Sequence, residues 1–225
     1  MRDFVRSSGL SVAFLIIFVA SLIGQSLAGF AYNNEKRAQH GQSPVTYADF
    51  VTSSQFLVDV AENWQSEFLQ FFLFIFATIW LIQRGSAESK KPGDGGVGTD
   101  EEQVVGAHAR PDSPRWAKVG GVRLWVYSNS LLLTMGTIFV LSWLAQSLAG
   151  HVVANDENAV HGLPPETWAA YVISAEFWNR TFSNWQSEFL AVGAMVAFAI
   201  YLRQRGSSES KPVGVPHHVA SVESE

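Results

Sequence analysis

The chain has 225 residues, a formal net charge of −5, no cysteine, and 16 Phe and 8 Trp residues. Without cysteine it can form no disulfide framework, no thiolate nucleophile and no cysteine-ligated metal centre. It has no basic stripe of the kind that nucleic acid requires, so we expect no nucleic-acid partner. The mean hydropathy of +0.11 averages strongly apolar blocks with very polar segments, which is typical of a chain that lies partly in a lipid bilayer.

The first apolar block has the length of a membrane span. Residues 10–32 carry no charge, and as a helix they would extend about 35 Å, more than a hydrocarbon core of about 30 Å. A cleaved signal peptide is the alternative, because two arginines precede the block and Ser26-Leu27-Ala28 resembles a cleavage site. The string Gln-Ser-Leu-Ala-Gly at 25–29 recurs at 146–150, where no signal peptide can lie, and this favours a permanent span.

A polar segment and a second apolar block complete the first half of the chain. Apolar residues between positions 47 and 61 fall at helical spacing with the acidic residues off the stripe, which predicts an amphipathic outer helix. Such a helix lies either on the membrane surface or against the outer ends of the spans. Residues 64–82 form the second predicted span, which ends at Gln83-Arg84-Gly85-Ser86.

The middle of the chain separates two similar halves. Residues 88–118 are rich in Gly, Pro and charge, so we expect a disordered cytoplasmic linker. The second half then predicts a third span over 123–149, a second amphipathic outer helix over 168–182 and a fourth span over 185–202. The polar tail, 209–225, also predicts disorder.

The two halves are copies of one unit. They align at a constant offset of 121 without a gap, and Asn-Trp-Gln-Ser-Glu-Phe-Leu at 63–69 recurs at 184–190. We therefore expect an all-α integral membrane protein with four transmembrane helices, in which 1–87 and 119–208 are tandem two-span repeats. Because each repeat contains two spans, both sit the same way up in the membrane, which makes a parallel repeat.

The distribution of basic residues predicts the topology. The N-terminus, linker and tail carry 12 Lys and Arg residues, whereas the two loops between spans carry three, which are Lys36, Arg37 and Arg180. By the positive-inside rule both termini and the linker are cytoplasmic, and both loops lie outside.

Six polar side chains fall near the outer ends of the predicted spans and suggest a polar layer. They are Gln25, Ser66, Glu67, Gln146, Ser187 and Glu188. The first interpretation is structural: Asn63 and Asn184 act as N-caps, and Trp64 and Trp185 act as interfacial anchors.

Two functional interpretations of this layer compete with the structural one. Glu67 and Glu188 could carry protons or ions, because carboxylates within a membrane often mark functional sites. Alternatively His40 and His161 could join these glutamates as metal ligands, although the histidines lie 27 residues earlier on loops of undefined length.

The chain resembles a family of small bacterial four-span membrane proteins of unknown function. The resemblance rests on the duplicated Gln-Ser-Leu-Ala-Gly and Asn-Trp-Gln-Ser-Glu-Phe strings and covers both halves, but not the linker or tail. It implies a multi-pass protein of the bacterial inner membrane and assigns no activity.

Motifs that would indicate catalysis are absent from the sequence. There is no Walker loop, no Gly-x-Ser-x-Gly and no His-Glu-x-x-His, so we expect a protein that is not an enzyme and needs no cofactor. We expect a structural or partner-binding role at the outer face, with the lipid bilayer and a second copy or another membrane protein as partners. The alternative is a small transporter or channel that uses the Glu/Gln layer.

Overall fold

The computed structural model describes residues 7–220, and this part of the chain contains seven α-helices and no strand. Arg2, Arg6 and the end of the tail, 221–225, lie outside the described residues. The helices are α1 (Gly9–Gln39), α2 (Tyr47–Val51), α3 (Ser54–Trp80), α4 (Val122–Ser128), α5 (Ser130–Val160), α6 (Trp168–Val172) and α7 (Ala175–Tyr201). The all-α fold class is confirmed.

Each of three helices in the first half has a counterpart of the same length in the second half. The counterpart is displaced along the chain by the offset that aligns the two halves of the sequence. Helices α1 and α5 both have 31 residues, α2 and α6 both have five, and α3 and α7 both have 27. Each pair begins and ends 121 positions apart. The turns after α1 and α5 also agree, because Gly41 and Gly162 share a φ of 68°, a left-handed conformation that glycine adopts without strain.

Two of the long helices are long and apolar enough to cross a membrane, namely α1 and α5. Few of the residues in their apolar stretches are buried, and Phe14, Ile16 and Leu141 are each about 60% exposed, at 64%, 63% and 59%. Such a continuous apolar surface is unusual for a helix in water and suits one in contact with lipid.

Helices α3 and α7 do not meet the same criterion of length and composition. The reason lies in their sequences: both begin with polar turns that run through the repeated motif, and α3 ends at Trp80, before the apolar residues Leu81 and Ile82. Four spans therefore stay a prediction, whereas two candidate spans are a finding.

The outer amphipathic segments differ from the sequence prediction. Instead of one helix over 47–61, the structure has the short helix α2, a break at Thr52-Ser53, and then α3, which continues into the second apolar block. The break falls there because Ser53 Oγ accepts a hydrogen bond from the Phe56 amide, 3.3 Å away, and so caps the start of α3. The second half repeats this arrangement, where Ser174 Oγ accepts from the Phe177 amide at 3.2 Å.

The N-caps predicted at Asn63 and Asn184 are wrong for the same reason. Both residues lie well inside α3 and α7, where the backbone amides already have helical partners. The side chain of Asn184 instead donates back to the Arg180 carbonyl, 3.1 Å away, within its own helix.

The linker 88–118 contains turns and two short 3-10 helices, Gly106–His108 and Arg115–Lys118. The ammonium group of Lys211 is buried beyond α7 and donates to the carbonyls of Pro216, His217 and Val219 at 2.8–3.4 Å. The expected disorder of linker and tail stays a prediction.

The chain divides into two compact units, and neither corresponds to one repeat. The first unit comprises Met1–Ala61 and Ala145–Phe177, and the second comprises Glu62–Leu144 and Trp178–Glu225. Each unit therefore contains segments from both halves of the sequence. The candidate site is described below for each unit by itself.

Candidate functional site

In the first unit, an asparagine clamp ties each loop to the helix before it. The Asn34 side chain donates to the Val45 carbonyl at 3.1 Å and accepts from the Val45 amide at 2.8 Å. In the second half, Asn155 makes the same two bonds to the backbone of Glu166, again at 3.1 and 2.8 Å. The clamp satisfies backbone groups that a loop would otherwise leave to water, and it fixes where the next helix begins.

A second repeated contact links the middle of each 31-residue helix to the short helix that follows it. Tyr47 Oη lies 2.7 Å from Ser26 Oγ, and its counterpart Trp168 donates through Nε1 to Ser147 Oγ at 3.3 Å. Thr46 and Thr167 cap α2 and α6 by accepting from backbone amides, each at 3.2 Å. The loops of both halves are therefore built by the same local chemistry.

Between these loops the first unit contains an open polar cleft of about 660 Å³. Its walls come from the ends of α1 and α5, the loop after α1, and the start of α3. The lining side chains that bear charge or an imidazole ring are Lys36, Arg37, His40, Asp49, Asp156, Glu157 and His161. Phe50, which is 2% exposed, lies at the edge of the core beneath.

The charges of this cleft are segregated by helix. Lys36 and Arg37 lie in the last turn of α1 and form a basic wall, and Asp156 and Glu157 lie on α5 and form an acidic wall. The two walls approach where Lys36 Nζ lies 3.9 Å from a carboxylate oxygen of Glu157, and both side chains are about half exposed, at 51% and 52%. An exposed pair at this distance is weak, so the walls remain open to other partners.

The two loop histidines meet at this cleft. The rings of His40 and His161 pack edge to face with their centroids 6.4 Å apart. His40 Nδ1 lies 2.8 Å from the Lys36 carbonyl. Because a carbonyl oxygen only accepts, this nitrogen donates, which leaves Nε2 as the acceptor in the neutral ring.

The metal site weighed from the sequence does not form in the described part of the chain. No group of three or more His, Asp or Glu side chains within residues 7–220 is arranged to hold a metal ion. His40 and His161 belong to the first unit, whereas Glu67 and Glu188 belong to the second. The histidines are thus brought together without the glutamates that were expected to complete the site.

In the second unit, the two copies of the repeated motif interact with each other. Trp185 Nε1 donates to Gln65 Oε1 at 2.8 Å, and the Gln65 side chain is fully buried. One turn earlier, Arg180 donates through Nε and Nη2 to one oxygen of Glu62, at 2.9 and 2.8 Å. These contacts join α3 to α7 by a buried amide and a partly buried ion pair.

An aromatic cluster surrounds this junction. Trp143, Trp178, Phe182 and Trp185 pack on one another with centroid separations of 5.1–6.5 Å, mostly in tilted or edge-to-face geometry. Trp185 is therefore a packing and hydrogen-bonding residue, and Trp64 is 41% exposed. The role of either tryptophan as an interfacial anchor stays a prediction.

The six residues of the predicted polar layer have different environments. Ser66 and Ser187 donate within their own helices, to the carbonyls of Asn63 and Asn184 at 2.9 and 2.8 Å. Glu67 is exposed and Glu188 is half-buried, and both belong to the second unit.

Gln25 and Gln146 belong to the first unit. Gln25 is half-buried, whereas Gln146 is fully buried with no hydrogen-bond partner for its amide among the described residues. A single layer of all six side chains stays a prediction.

Several residues that build the site were missed from the sequence. The clamps of Asn34 and Asn155, the ion pair of Glu62 with Arg180, and the approach of Lys36 to Glu157 were not foreseen. The repeat alignment held a signal for the clamps, since asparagine occupies the same position of both loops. The two ion pairs join different residue types from the two halves, so the alignment could not reveal them.

These observations define an all-α protein with two helices able to span a membrane and a polar cleft at their C-terminal turns. The chain belongs to the DUF6766 family, a domain of unknown function whose model matches residues 1–222. No curated protein and no solved structure matches the chain.

Proposed function

We propose that the chain is a four-span protein of the bacterial inner membrane, built as a parallel tandem repeat, that binds a ligand or partner at its outer face without catalysing a reaction. The observation that carries the proposal is the meeting of His40 with His161 and of Lys36 with Glu157 in the first unit. Both pairs lie at the C-terminal ends of α1 and α5. The two candidate spans therefore end on the same side of the membrane.

This common end requires a further crossing. If α1 and α5 both run outward, the chain must return to the inner side between Gln39 and Ser130. Within 40–129, which the structure describes throughout, α3 is the one helix of 27 residues, while the others have seven or fewer. Helix α3 would extend about 40 Å, and Leu81 and Ile82 prolong its apolar stretch. By the same offset, α7 returns the second half to the cytoplasm.

The position of the cleft supports a role at the outer face. It lies beyond the C-terminal ends of the two candidate spans, on the side where the positive-inside rule places few basic residues. Covalent catalysis requires a nucleophile that is hydrogen-bonded to a base, and a third group that orients this base. The residues that line the cleft do not form this arrangement. The exposed apolar faces of the spans contact the lipid bilayer. They can also pack against a second copy of the chain or against another membrane protein.

The rival function is a transporter or channel that moves protons through Glu67 and Glu188. The observation that favours it is that both carboxylates belong to the second unit, on the two helices α3 and α7 that Glu62 and Arg180 join. Purified chain in liposomes with an enclosed pH-sensitive dye separates the two functions. A binding protein leaves proton flux at the protein-free level, whereas a carrier shows flux that Glu67→Gln with Glu188→Gln abolishes.

A further inference from the structure

We propose that the outer cleft binds a small zwitterion, a molecule that carries a primary ammonium group and an oxyanion a few atoms apart. This inference rests on the proposed function, because it names the ligand of the cleft described above. The oxyanion is a carboxylate or a phosphate. Its source is a soluble amino acid or short peptide, or the headgroup of an aminophospholipid.

The first argument is the way the duplicated halves have diverged. Their loops keep the same clamps, caps and glycine turns, and Asp156 keeps the acidic character of its equivalent Glu35, but one pair of equivalent residues at the cleft reverses charge. Lys36 corresponds to Glu157, and Arg37 corresponds to Asn158. The first half thus supplies Lys36 and Arg37 together with the engaged carboxylate of Asp49, and the second half supplies the acidic Asp156 and Glu157. A dipolar ligand would use both groups of this reversed pair, the ammonium group of Lys36 and the carboxylate of Glu157.

The basic wall has donors to offer an oxyanion. Arg37 Nε donates to the Ser43 carbonyl at 2.7 Å, and this bond holds the guanidinium group in place. Its two terminal nitrogens have no hydrogen-bond partner among the described residues. Lys36 lies beside it with only the weak contact to Glu157. A fixed guanidinium group next to an ammonium group is the usual donor set for carboxylate and phosphate.

The acidic wall is suited to a single ammonium group. Asp156 and Glu157 both line the cleft and both are exposed. The third carboxylate, Asp49, is already engaged, because Thr46 donates to it from its hydroxyl at 2.7 Å and from its amide at 3.3 Å. The rings of His40 and His161 also line the cleft and pack edge to face.

The charge balance excludes ligands of one sign. A polyanion would meet Asp156 and Glu157, and a polycation would meet Lys36 and Arg37, in each case at the cost of like-charge repulsion. A zwitterion instead replaces the weak Lys36–Glu157 contact with two complementary ones. The volume of about 660 Å³ accommodates a dipeptide or a lipid headgroup.

The depth of the cleft explains why both sources are considered. Lys36 lies seven residues beyond Gly29 along α1, which is about 10 Å past the expected end of the hydrocarbon core. That is the depth of lipid headgroups, and it is also open to water.

The experiment uses the full chain, purified in detergent or in nanodiscs, with alanyl-alanine as the soluble probe and phosphatidylethanolamine as the lipid probe. Isothermal titration measures the affinity for alanyl-alanine and for its N-acetyl and C-amide derivatives, which each lack one charge. Native mass spectrometry measures retention of phosphatidylethanolamine against phosphatidylcholine. The test variants are Arg37→Gln, Asp156→Asn and Glu157→Gln, and the matched controls are Arg110→Gln and Glu35→Gln, which lie outside the cleft.

A soluble ligand is indicated when alanyl-alanine binds and each test variant or singly charged derivative weakens binding by about tenfold or more. A lipid ligand is indicated when phosphatidylethanolamine is retained selectively and the test variants lose it. The controls should match the wild type in both arms. Because three substitutions on two helices are used, and folding is monitored by the unfolding midpoint, one unstable variant does not decide the result.

The proposal is overturned if the wild type binds neither probe, or if the test variants and singly charged derivatives behave like the controls. Accessibility of positions 40 and 161 to an impermeant reagent is measured in the same preparations. If both positions are outside and no probe binds, the zwitterion site alone fails. If they lie on opposite sides, the proposed four-span function fails.

Discussion

His40 and His161 occupy the same position in the two halves of the sequence, 121 residues apart, and their rings pack with centroids 6.4 Å apart. In the second unit Glu88 and Glu209 are also 121 positions apart, and Glu209 raises the pKa of the Glu88 carboxyl group. Residues at the same offset therefore interact in each unit.

The asparagine clamps should both contribute to stability. We expect Asn34→Ala and Asn155→Ala each to lower the free energy of unfolding by about 1–3 kcal/mol, because each leaves a backbone amide without its partner. The loss should be larger for Asn34→Ala, since the Glu166 carbonyl keeps His151 Nε2 at 2.8 Å, whereas the Val45 carbonyl loses its side-chain partner. Unfolding by SDS in mixed micelles, followed by tryptophan fluorescence, measures the effect. Asn33→Ala is the control, since the second half already carries Ala154 at that position. Equal effects of Asn33→Ala and Asn34→Ala would contradict the clamp.

A methyl group at Gly150 should be poorly tolerated. A Cβ there would clash with Tyr171 Oη, whereas a Cβ at Gly29 would meet only the ring edge of Phe50 at 3.0 Å. We expect Gly150→Ala to cost about 1–3 kcal/mol, and Gly29→Ala less.

A compensating substitution tests the cause. Tyr171→Phe removes the hydroxyl group and recreates the pair found in the first half, so it should recover part of the stability lost in Gly150→Ala. Gly24→Ala has no atom within 4 Å of the new Cβ and should stay within about 0.5 kcal/mol of the wild type. The account fails here if the double variant is no more stable than Gly150→Ala alone.

The sequence predicted the local structure of the loops only in part. Helical periodicity over 47–61 predicts a helix there, and asparagine, a favoured N-cap residue, predicts that a new helix starts at Asn63. Hydrogen bonding decides otherwise: Ser53 caps α3, and Asn63 lies within a continuous helix. A cap depends on backbone conformation, which residue type alone does not determine.

The Glu62–Arg180 pair should couple α3 and α7 measurably. A double-mutant cycle with Glu62→Gln and Arg180→Gln should give an interaction free energy of about 1 kcal/mol, because the pair is partly buried and one oxygen accepts two donors. The same cycle on Lys36 and Glu157 serves as the control, since that pair is exposed and 3.9 Å apart. It should give a value near zero in the absence of ligand. Equal couplings would show that burial does not distinguish the two pairs.

Stability should depend on pH through Glu88. Burial raises the pKa of the Glu88 carboxyl group above its ordinary value of 4.5, and the hydrogen bond and charge of Glu209 raise it further. A raised carboxyl pKa means that the stabilising contribution is complete below pH 4.5 and is lost as the pH rises through the folded-state value. We therefore expect the unfolding midpoint of the wild type to fall over this range more than that of Glu88→Gln or Glu209→Gln. Parallel profiles for all three proteins would contradict the assignment.

The repeat was visible in the sequence, but the partners of its residues were not. The offset of 121 predicted which helices would match, and α1 and α5 do match residue for residue in their bounds. It did not predict that Trp185 would form a hydrogen bond with Gln65, which follows Trp64, the residue equivalent to Trp185. Nor did it predict that the opposite charges of Lys36 and Glu157 would approach each other. Such contacts depend on the three-dimensional placement of two similar surfaces, which periodicity does not encode.

The central claim is that α1 and α5 end on the same side of the membrane and that α3 crosses back between them. Because the chain has no cysteine, single cysteines at positions 40, 109 and 161 can be probed on intact cells with an impermeant thiol reagent. The four-span account predicts that positions 40 and 161 react and that position 109, in the linker, reacts only after the cells are opened. If α1 and α5 alone crossed the membrane, positions 40 and 109 would react together and position 161 would be protected, and that result would contradict the account.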